Sequence, residues 1–130
     1  MPPAKSAAGR PRIPPRERFA GVERVFNLDE AFAQLPGESK LRQGHMQKAL
    51  YRLGPTTTAI FSFDKGAGLE QHTMEGEAII HVLAGRLSVR TAKAQHELGP
   101  NDLMMLDPGV VHDLKALQPT RMLMTVVLGE

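Results

Sequence analysis

Two histidines are candidates for chemistry because apolar, strand-like segments and turn residues surround both of them. His72 opens the stretch HTMEGEAIIHVLAG, and His112 ends the stretch DPGVVH, forty residues later. Imidazole nitrogens bind transition metals and also hydrogen-bond small ligands. The chain has no cysteine, which excludes thiolate ligands, disulfides and cysteine nucleophiles. Any transition-metal site must therefore use histidines, carboxylates or methionine.

The elements that must position these histidines are short strands. From about residue 45 the apolar pattern has a period of two, and turn signals such as Gly54-Pro55 and Pro108-Gly109 divide it. The predicted strands read QKALYRL, TTTAIFSF, EAIIHVLA, RLSVRT, QHEL, DLMMLD, VVHDLKAL and TRMLMTVVL. Many short strands without intervening helices predict an all-β antiparallel sandwich or barrel.

The chain divides into three predicted segments: a basic, proline-rich arm (1–20), a helical lead-in (21–44) and a barrel domain (45–130). The lead-in contains one short helix, which Asn27 caps and which Pro36-Gly37 ends. We expect this helix to act as a lid or flank. Its body-facing residues are predicted to be Phe26, Leu28, Phe32 and Leu35.

The basic arm raises the question of a nucleic-acid partner. Residues 1–18 hold five basic residues and one acidic residue, whereas the rest of the chain holds 11 basic and 13 acidic residues. A net charge of +4 attracts phosphates, but the five prolines and the lack of a patterned helix predict a solubilising or dimer-embracing tail rather than a nucleic-acid contact. No apolar run approaches the roughly 20 residues of a membrane span, so we expect no membrane partner. The absence of cysteine fits a reducing compartment, so we expect a cytoplasmic location.

Two spaced motifs resemble those of the cupin superfamily. The first cupin motif runs glycine, five residues, H-x-H, three or four residues, glutamate, six residues, glycine. Here Gly66, His72 and Gly85 match, while Met74 replaces the second histidine and Ala78 replaces the glutamate.

The second cupin motif runs glycine, five residues, proline, any residue, glycine, two residues, histidine, three residues, asparagine. Gly109 and His112 match, whereas Asn101, Asp107 and Ala116 stand at the first glycine, the proline and the asparagine. Asparagine is a common substitute for glycine in a left-handed conformation, so the change at position 101 is mild.

The resemblance covers roughly residues 45–128 and implies a small antiparallel jelly-roll (cupin) β-barrel. It also implies a metal cage of three histidines and one glutamate, of which this chain keeps His72 and His112. Two imidazoles bind metal less tightly than the usual three or four ligands, so the cofactor stays undetermined: a divalent transition metal or Cu(I), weakly held, or none.

Three residues near His72 are candidates to replace the missing histidine and glutamate ligands. Met74 shares a strand face with His72, and its thioether suits Cu(I), but methionine also fills irregular cores. Glu77 would need a bulge near Gly76 to turn inward, and Glu75 would have to swing inward from the loop; both are otherwise solvated loop carboxylates.

Alternation along the strands predicts a mostly apolar pocket. The residues expected to line it are Met74, Ala78, Ile80, Val82 and Leu114. Tyr51, Phe61 and Phe63 are further candidates whose direction the sequence does not fix, and His45 and His96 are expected at the surface or behind the ligands.

The same alternation turns Ile79, His81 and Leu83 outward. An exposed apolar face is costly unless it is covered, so we expect a homodimer.

Two functions remain open. One is a small cupin barrel of undetermined substrate that binds a small molecule beside a reduced two-histidine site. The alternative is a metal-dependent (Cu, Zn, Ni, Mn or Fe) oxygenase or isomerase that uses His72 and His112. The fold alone does not choose between them.

Overall fold

The computed structural model describes residues 23–38 and 44–129, apart from the side chains of residues 37–38 and 71–72. The predicted arm, residues 1–20, lies outside the described residues. The elements are α1 (Leu28–Glu38), β1 (His45–Leu53), β2 (Thr56–Phe63), β3 (Gly68–His72), β4 (Glu77–Ala84), β5 (Leu87–Arg90), β6 (Gln95–Leu98), β7 (Leu103–Leu106), β8 (His112–Ala116) and β9 (Thr120–Val127). The 11-residue α1 is too short and too polar to cross a membrane, and the described residues hold no other helix.

The strands form two antiparallel sheets whose apolar faces pack against each other. The five-stranded sheet has the order β1-β2-β9-β4-β7, and the four-stranded sheet has the order β3-β8-β5-β6. Buried side chains from both sheets form one core. This arrangement confirms the predicted all-β jelly roll.

The sequence patterns did not predict β3, the strand that carries His72. Its sequence GLEQH is largely polar and lacks the alternation that marks the other strands. β3 forms because it pairs with β8, and a Cβ atom at Gly68 would collide with the backbone carbonyl of Leu114. Glycine is therefore required where β3 approaches β8.

The strand pairing of the five-stranded sheet shows which core residues lie at each end of the sheet. Phe63 pairs with Thr120 at one end, and Phe61 pairs with Met122 in the next inward-facing row. At the opposite end Ala78 pairs with both Val126 and Leu106. Large side chains thus fill the first end of the core, and smaller side chains line the second.

Helix α1 covers the outer face of the five-stranded sheet. The Asn27 side-chain oxygen accepts the Glu30 N–H at 2.9 Å, which confirms the predicted cap. Phe32 and Leu35 are buried against Ile60 on the sheet. The helix is therefore a flank, as one of the two predictions stated.

The predicted end of α1 at Pro36-Gly37 was wrong, because Pro36 lies inside the helix and the last helical residue is Glu38. Proline removes one backbone N–H donor, and near the end of a helix that loss affects a single turn.

Two predicted turn residues adopt the left-handed backbone. Asn101 has φ 74° and is the one non-glycine residue with positive φ among the described residues. Gly85 has φ 92°, and a Cβ atom there would collide with the carbonyl of Pro119. Both residues stand at glycine positions of the two motifs, so the turns agree with the resemblance.

Candidate functional site

Two short loops join the sheets at the end where the smaller core residues lie. Residues 73–76 connect β3 to β4, and residues 107–111 connect β7 to β8. The Gly109 N–H donates to the Met74 carbonyl at 3.0 Å and so holds the two loops together. We call this region, residues 73–76 and 107–111 with the strand ends beside them, the loop end.

The backbone brings positions 72 and 112 together at the loop end. His72 and His112 are register partners in the antiparallel pair formed by β3 and β8. Directly opposed residues in such a pair have Cβ atoms about 4.5–5.5 Å apart, on the same face of the sheet. The side chain of His72 lies outside the described part of the structure.

His112 is buried on the inner face of the four-stranded sheet. Its side chain is 1% exposed, and its ring Nδ1 lies 3.0 Å from the Val110 carbonyl oxygen. A carbonyl only accepts hydrogen bonds, so Nδ1 carries the hydrogen in this contact. In the neutral ring, Nε2 then keeps a lone pair that can accept a hydrogen bond or bind a metal.

Apolar side chains form the core at the loop end, where His112 is buried. Leu114, two residues further along β8, is buried, and Ala78 on β4 is 1% exposed. Met74 and Val110 are half-buried and pack against the same core. The loop end therefore combines one fixed imidazole with uncharged walls, the composition of a small-molecule site.

Two of the predicted pocket residues lie deeper in the core. Ile80 and Val82 are buried, as alternation along β4 predicts. Val82 lies four positions after Ala78 on β4, a rise of about 13 Å. Val82 pairs with Met122, the partner of Phe61, so Val82 lies in the densely filled part of the interior. Its contact with a ligand stays a prediction.

The described side chains do not complete a metal cage. Glu75 and Glu77 are exposed, which excludes the inward turn considered for them. Among the described residues, no three histidine, cysteine, aspartate or glutamate side chains could together hold a metal ion. The described donors that are at least half-buried at the loop end are the His112 imidazole and the Met74 thioether, which do not fit a three-histidine, one-glutamate cage. We therefore derive no chemical step through a metal.

His45 is half-buried and faces the core, far from His112, whereas the sequence placed it at the surface or behind the ligands. Its ring is stacked against Phe61 at 5.7 Å and lies 5.0 Å from Phe63, between ring centroids. The prediction was wrong because β1 begins at His45 itself, where it pairs with Phe63 and faces inward. This is the end of the core opposite to His112.

The other residues left open by the sequence lie away from the loop end. Phe61 and Phe63 are buried in the core, whereas Tyr51 pairs with Thr58 and stacks on Phe26 at 5.7 Å, outside the five-stranded sheet. His96 is exposed on β6.

A cavity of about 940 Å³ lies elsewhere, over the outer face of the four-stranded sheet. Its polar lining includes Ser88, Arg90, Asp113 and Lys115, which alternate with the core residues of β5 and β8. Arg90 and Asp113 form an ion pair of 2.8 Å there. The cavity is thus separate from the interior pocket that the sequence predicts.

The two-sheet jelly roll with an inward-facing histidine on β8 defines a cupin-type domain, and comparison with known proteins places it in a family. The model of the Cupin_2 family, described as a cupin domain, matches residues 59–128, more than half of the chain. The chain belongs to this family, in the cupin superfamily. Among curated proteins, no sequence matches it.

Several solved structures share the fold. A protein of unknown function from Rhizobium leguminosarum is 22% identical with a TM-score of 0.71, and the match covers 83% of this chain and 99% of that one. KdgF from Halomonas sp. is 20% identical with a TM-score of 0.65, over 70% of this chain and 86% of that one.

The third structure is an enzyme complex. Salicylate 1,2-dioxygenase from Pseudoaminobacter salicylatoxidans, solved with gentisate, is 11% identical with a TM-score of 0.71, over 78% of this chain and 32% of that one. At these identities the three likenesses show the fold alone. The cupin fold includes metal-dependent dioxygenases and isomerases, so it is compatible with both functions considered above.

Proposed function

We propose that this cupin binds a small, weakly polar molecule in the interior at the loop end, with His112 as its main polar contact. The observation that carries the proposal is the buried His112 ring, whose Nδ1–H is held by the Val110 carbonyl. A fixed ring with an acceptor nitrogen can recognise an O–H or N–H donor on a ligand.

The chemistry of the walls limits the ligand. Ala78, Leu114, Met74 and Val110 give the core at the loop end a hydrocarbon and thioether character, which favours an apolar ligand body. No charged side chain of the described residues is buried in this core, so a strongly charged ligand would lack a described counterion. A small aromatic or aliphatic molecule with one hydroxyl or amine group fits best.

The alanine at the family's glutamate position supports binding rather than metal chemistry. A glutamate there would contribute both a charge and a ligand atom, whereas Ala78 contributes neither and occupies less volume. The loop end therefore has a small apolar side chain at the position where the family's motif has a chelating carboxylate.

The register pairing of positions 72 and 112 favours a second candidate function. If both imidazoles approach one point, they could hold a transition metal together with Met74 or water and support an oxygenase or isomerase. The two functions differ in whether metal is needed for the ligand to bind.

A combined metal and ligand assay tests the proposal. Protein purified without a histidine tag is analysed for metals, and a panel of small phenols, alcohols and amines is then screened by thermal shift, with and without a chelator. We expect ligands that raise Tm with chelator present and that lose this effect in His112→Phe, which keeps a ring but removes the nitrogens.

The control variant is His96→Phe, which changes an exposed histidine on β6 and should leave the shifts intact. Stoichiometric metal that is lost in both His72→Ala and His112→Ala, with ligand shifts that vanish in chelator, would instead support the metal-dependent enzyme. Ligand shifts that persist in His112→Phe would refute the assignment of the pocket.

A further inference from the structure

The cavity over the outer face of the four-stranded sheet is separate from the interior, and we call it the outer cavity. It is lined by residues 66–70, Ser88, Arg90, Gln95 and residues 113–115. Its volume of about 940 Å³ lies within the range of about 300–1,000 Å³ that is usual for small-molecule pockets. β5 and β8 turn alternate side chains to the outer cavity and to the core. A ligand in the outer cavity would therefore not share space with the interior pocket.

Ser88 lies at the base of the outer cavity. It faces outward between Leu87 and Val89, which are both fully buried in the core, yet it is only 6% exposed. The Gln95 side-chain amide donates to the Ser88 hydroxyl oxygen at 3.0 Å. A hydroxyl has one donor hydrogen and a side-chain amide has two, so this bond leaves donor hydrogens of the pair unused. A carboxylate oxygen of a ligand in the outer cavity can accept them.

Lys115 and Glu70 bring two unpaired charges to the outer cavity. Neither forms an ion pair with the other or with any further residue that the structure describes. Lys115 lies between Gly68 and Ser88 in the strand register, and neither of them is charged. Gly68 has no side chain to fill the space beside Lys115, and a Cβ atom there would collide with the Leu114 carbonyl. The ammonium group of Lys115 is therefore available to a ligand.

The other two charged side chains of the lining neutralise each other. Arg90 donates to the Asp113 carboxylate at 2.8 Å, so the described lining carries two cations and two anions in all. A ligand with charge of one sign would pair with only one of Lys115 and Glu70. A ligand with both a carboxylate and an ammonium group would pair with both. The charges of the outer cavity therefore favour a zwitterion.

We propose that the outer cavity binds a small zwitterion, either an amino acid or a short peptide. The ligand carboxylate accepts hydrogen bonds from Lys115 and from the Ser88–Gln95 pair, and the ligand ammonium group donates to Glu70. Hydrogen bonds between charged groups are stronger than those between neutral groups. Lys115 and Glu70 are exposed, so water competes with the ligand, and we expect a dissociation constant in the millimolar range.

A nuclear magnetic resonance titration of the ¹⁵N-labelled protein tests this site. Glycine and glycylglycine are the probes for the two sources of the zwitterion. We expect saturable shifts of the backbone amide signals of Ser88 and Lys115, whereas the signal of Ala78 in the interior should stay in place. Tighter binding of glycylglycine would identify a peptide as the better ligand, and equal binding of the two probes would identify an amino acid.

Two blocked probes test the two ends of the ligand separately. N-acetylglycylglycine lacks the ammonium group, and glycylglycine amide lacks the carboxylate. Each should bind about threefold more weakly than glycylglycine, which is the effect expected of one exposed ion pair. Lys115→Gln should abolish the difference between glycylglycine and its amide. Glu70→Gln should abolish the difference between glycylglycine and N-acetylglycylglycine.

The matched control is Lys93→Gln, which neutralises an exposed lysine outside the described lining and should leave all of these dissociation constants unchanged. Acetate that binds as tightly as glycylglycine would overturn the proposal, because a single carboxylate would then be sufficient. Binding of glycylglycine that both Lys115→Gln and Glu70→Gln leave unchanged would overturn it as well. The absence of any saturable shift would also overturn it, without bearing on the interior site at His112.

Discussion

The substitution Ala78→Glu restores a carboxylate at the loop end and so tests the geometry of the candidate site. Ala78 is 1% exposed and packs in the core with Leu114 and Met74. The described residues around it offer no lysine or arginine side chain. We expect the introduced carboxyl to be destabilising because it must either be buried as a charge or take up a proton.

The magnitude follows from proton linkage. A glutamate carboxyl titrates near pH 4.3 in the unfolded chain, and a fully buried one can have its pKa raised to about 8. The variant then loses stability as pH rises above the unfolded value: about 1 kcal/mol at pH 5 and about 3.6 kcal/mol at pH 7. Overpacking adds about 1–3 kcal/mol that does not depend on pH.

The assay compares Ala78→Glu with Ala78→Gln, which has the same size but does not titrate. Urea unfolding is followed by far-UV circular dichroism from pH 5 to pH 8, because the chain has no tryptophan and one tyrosine. The difference between the free energies of unfolding of the two variants isolates the part of the destabilisation that depends on proton binding. It should widen by about 1.4 kcal/mol per pH unit up to the raised pKa.

Adding Zn²⁺ or Mn²⁺ extends the same experiment to the histidines. If the introduced carboxyl and His112 can share a metal, saturating metal at 100 times its Kd should return about 2.7 kcal/mol to Ala78→Glu. Metal should raise the free energy of unfolding less in Ala78→Gln and in the double variant Ala78→Glu/His112→Ala. A difference between Glu and Gln variants that stays flat with pH would refute the reasoning, because position 78 would then be in contact with water.

Three further predictions concern the frame that holds the site. In a urea titration, Gly76→Ala should lower the free energy of unfolding by about 1–3 kcal/mol, because its Cβ would collide with the Val127 carbonyl. The control Gly129→Ala has open space around it and should leave the free energy of unfolding unchanged. Phe63→Ala removes a buried ring at the far end of the core and should cost about 3–5 kcal/mol in chemical denaturation without abolishing ligand thermal shifts. Asn27→Ala removes the cap of α1 and should cost about 1 kcal/mol by thermal unfolding, a result that a silent substitution would contradict.

Local patterns were sufficient for most of the strands and for the direction of the core residues. Alternation along β4 was enough to predict that Ala78, Ile80 and Val82 face the core, since successive side chains of a strand point to opposite faces. The sequence also predicted the left-handed conformation of Asn101, because few other non-glycine residues accept positive φ.

The failures came from contacts between residues distant in the sequence. β3 was missed because its polar sequence becomes a strand only through pairing with β8. His45 was misplaced because its direction depends on its register with Phe63. The outward-facing Leu83 is covered by α1, a packing choice that periodicity in either element does not reveal.

Nuclear magnetic resonance of ¹³C-methyl-labelled methionine tests the central claim most directly. Met74, Met122 and Met124 pack in or against the interior, whereas Met105 is exposed on the outer face. We predict that a small phenol or amine which raises Tm shifts the Met74 resonance most, leaves that of Met105 in place, and loses both effects in His112→Phe. A ligand that shifts only Met105, or that shifts Met74 equally in His112→Phe, would contradict an interior pocket built around His112.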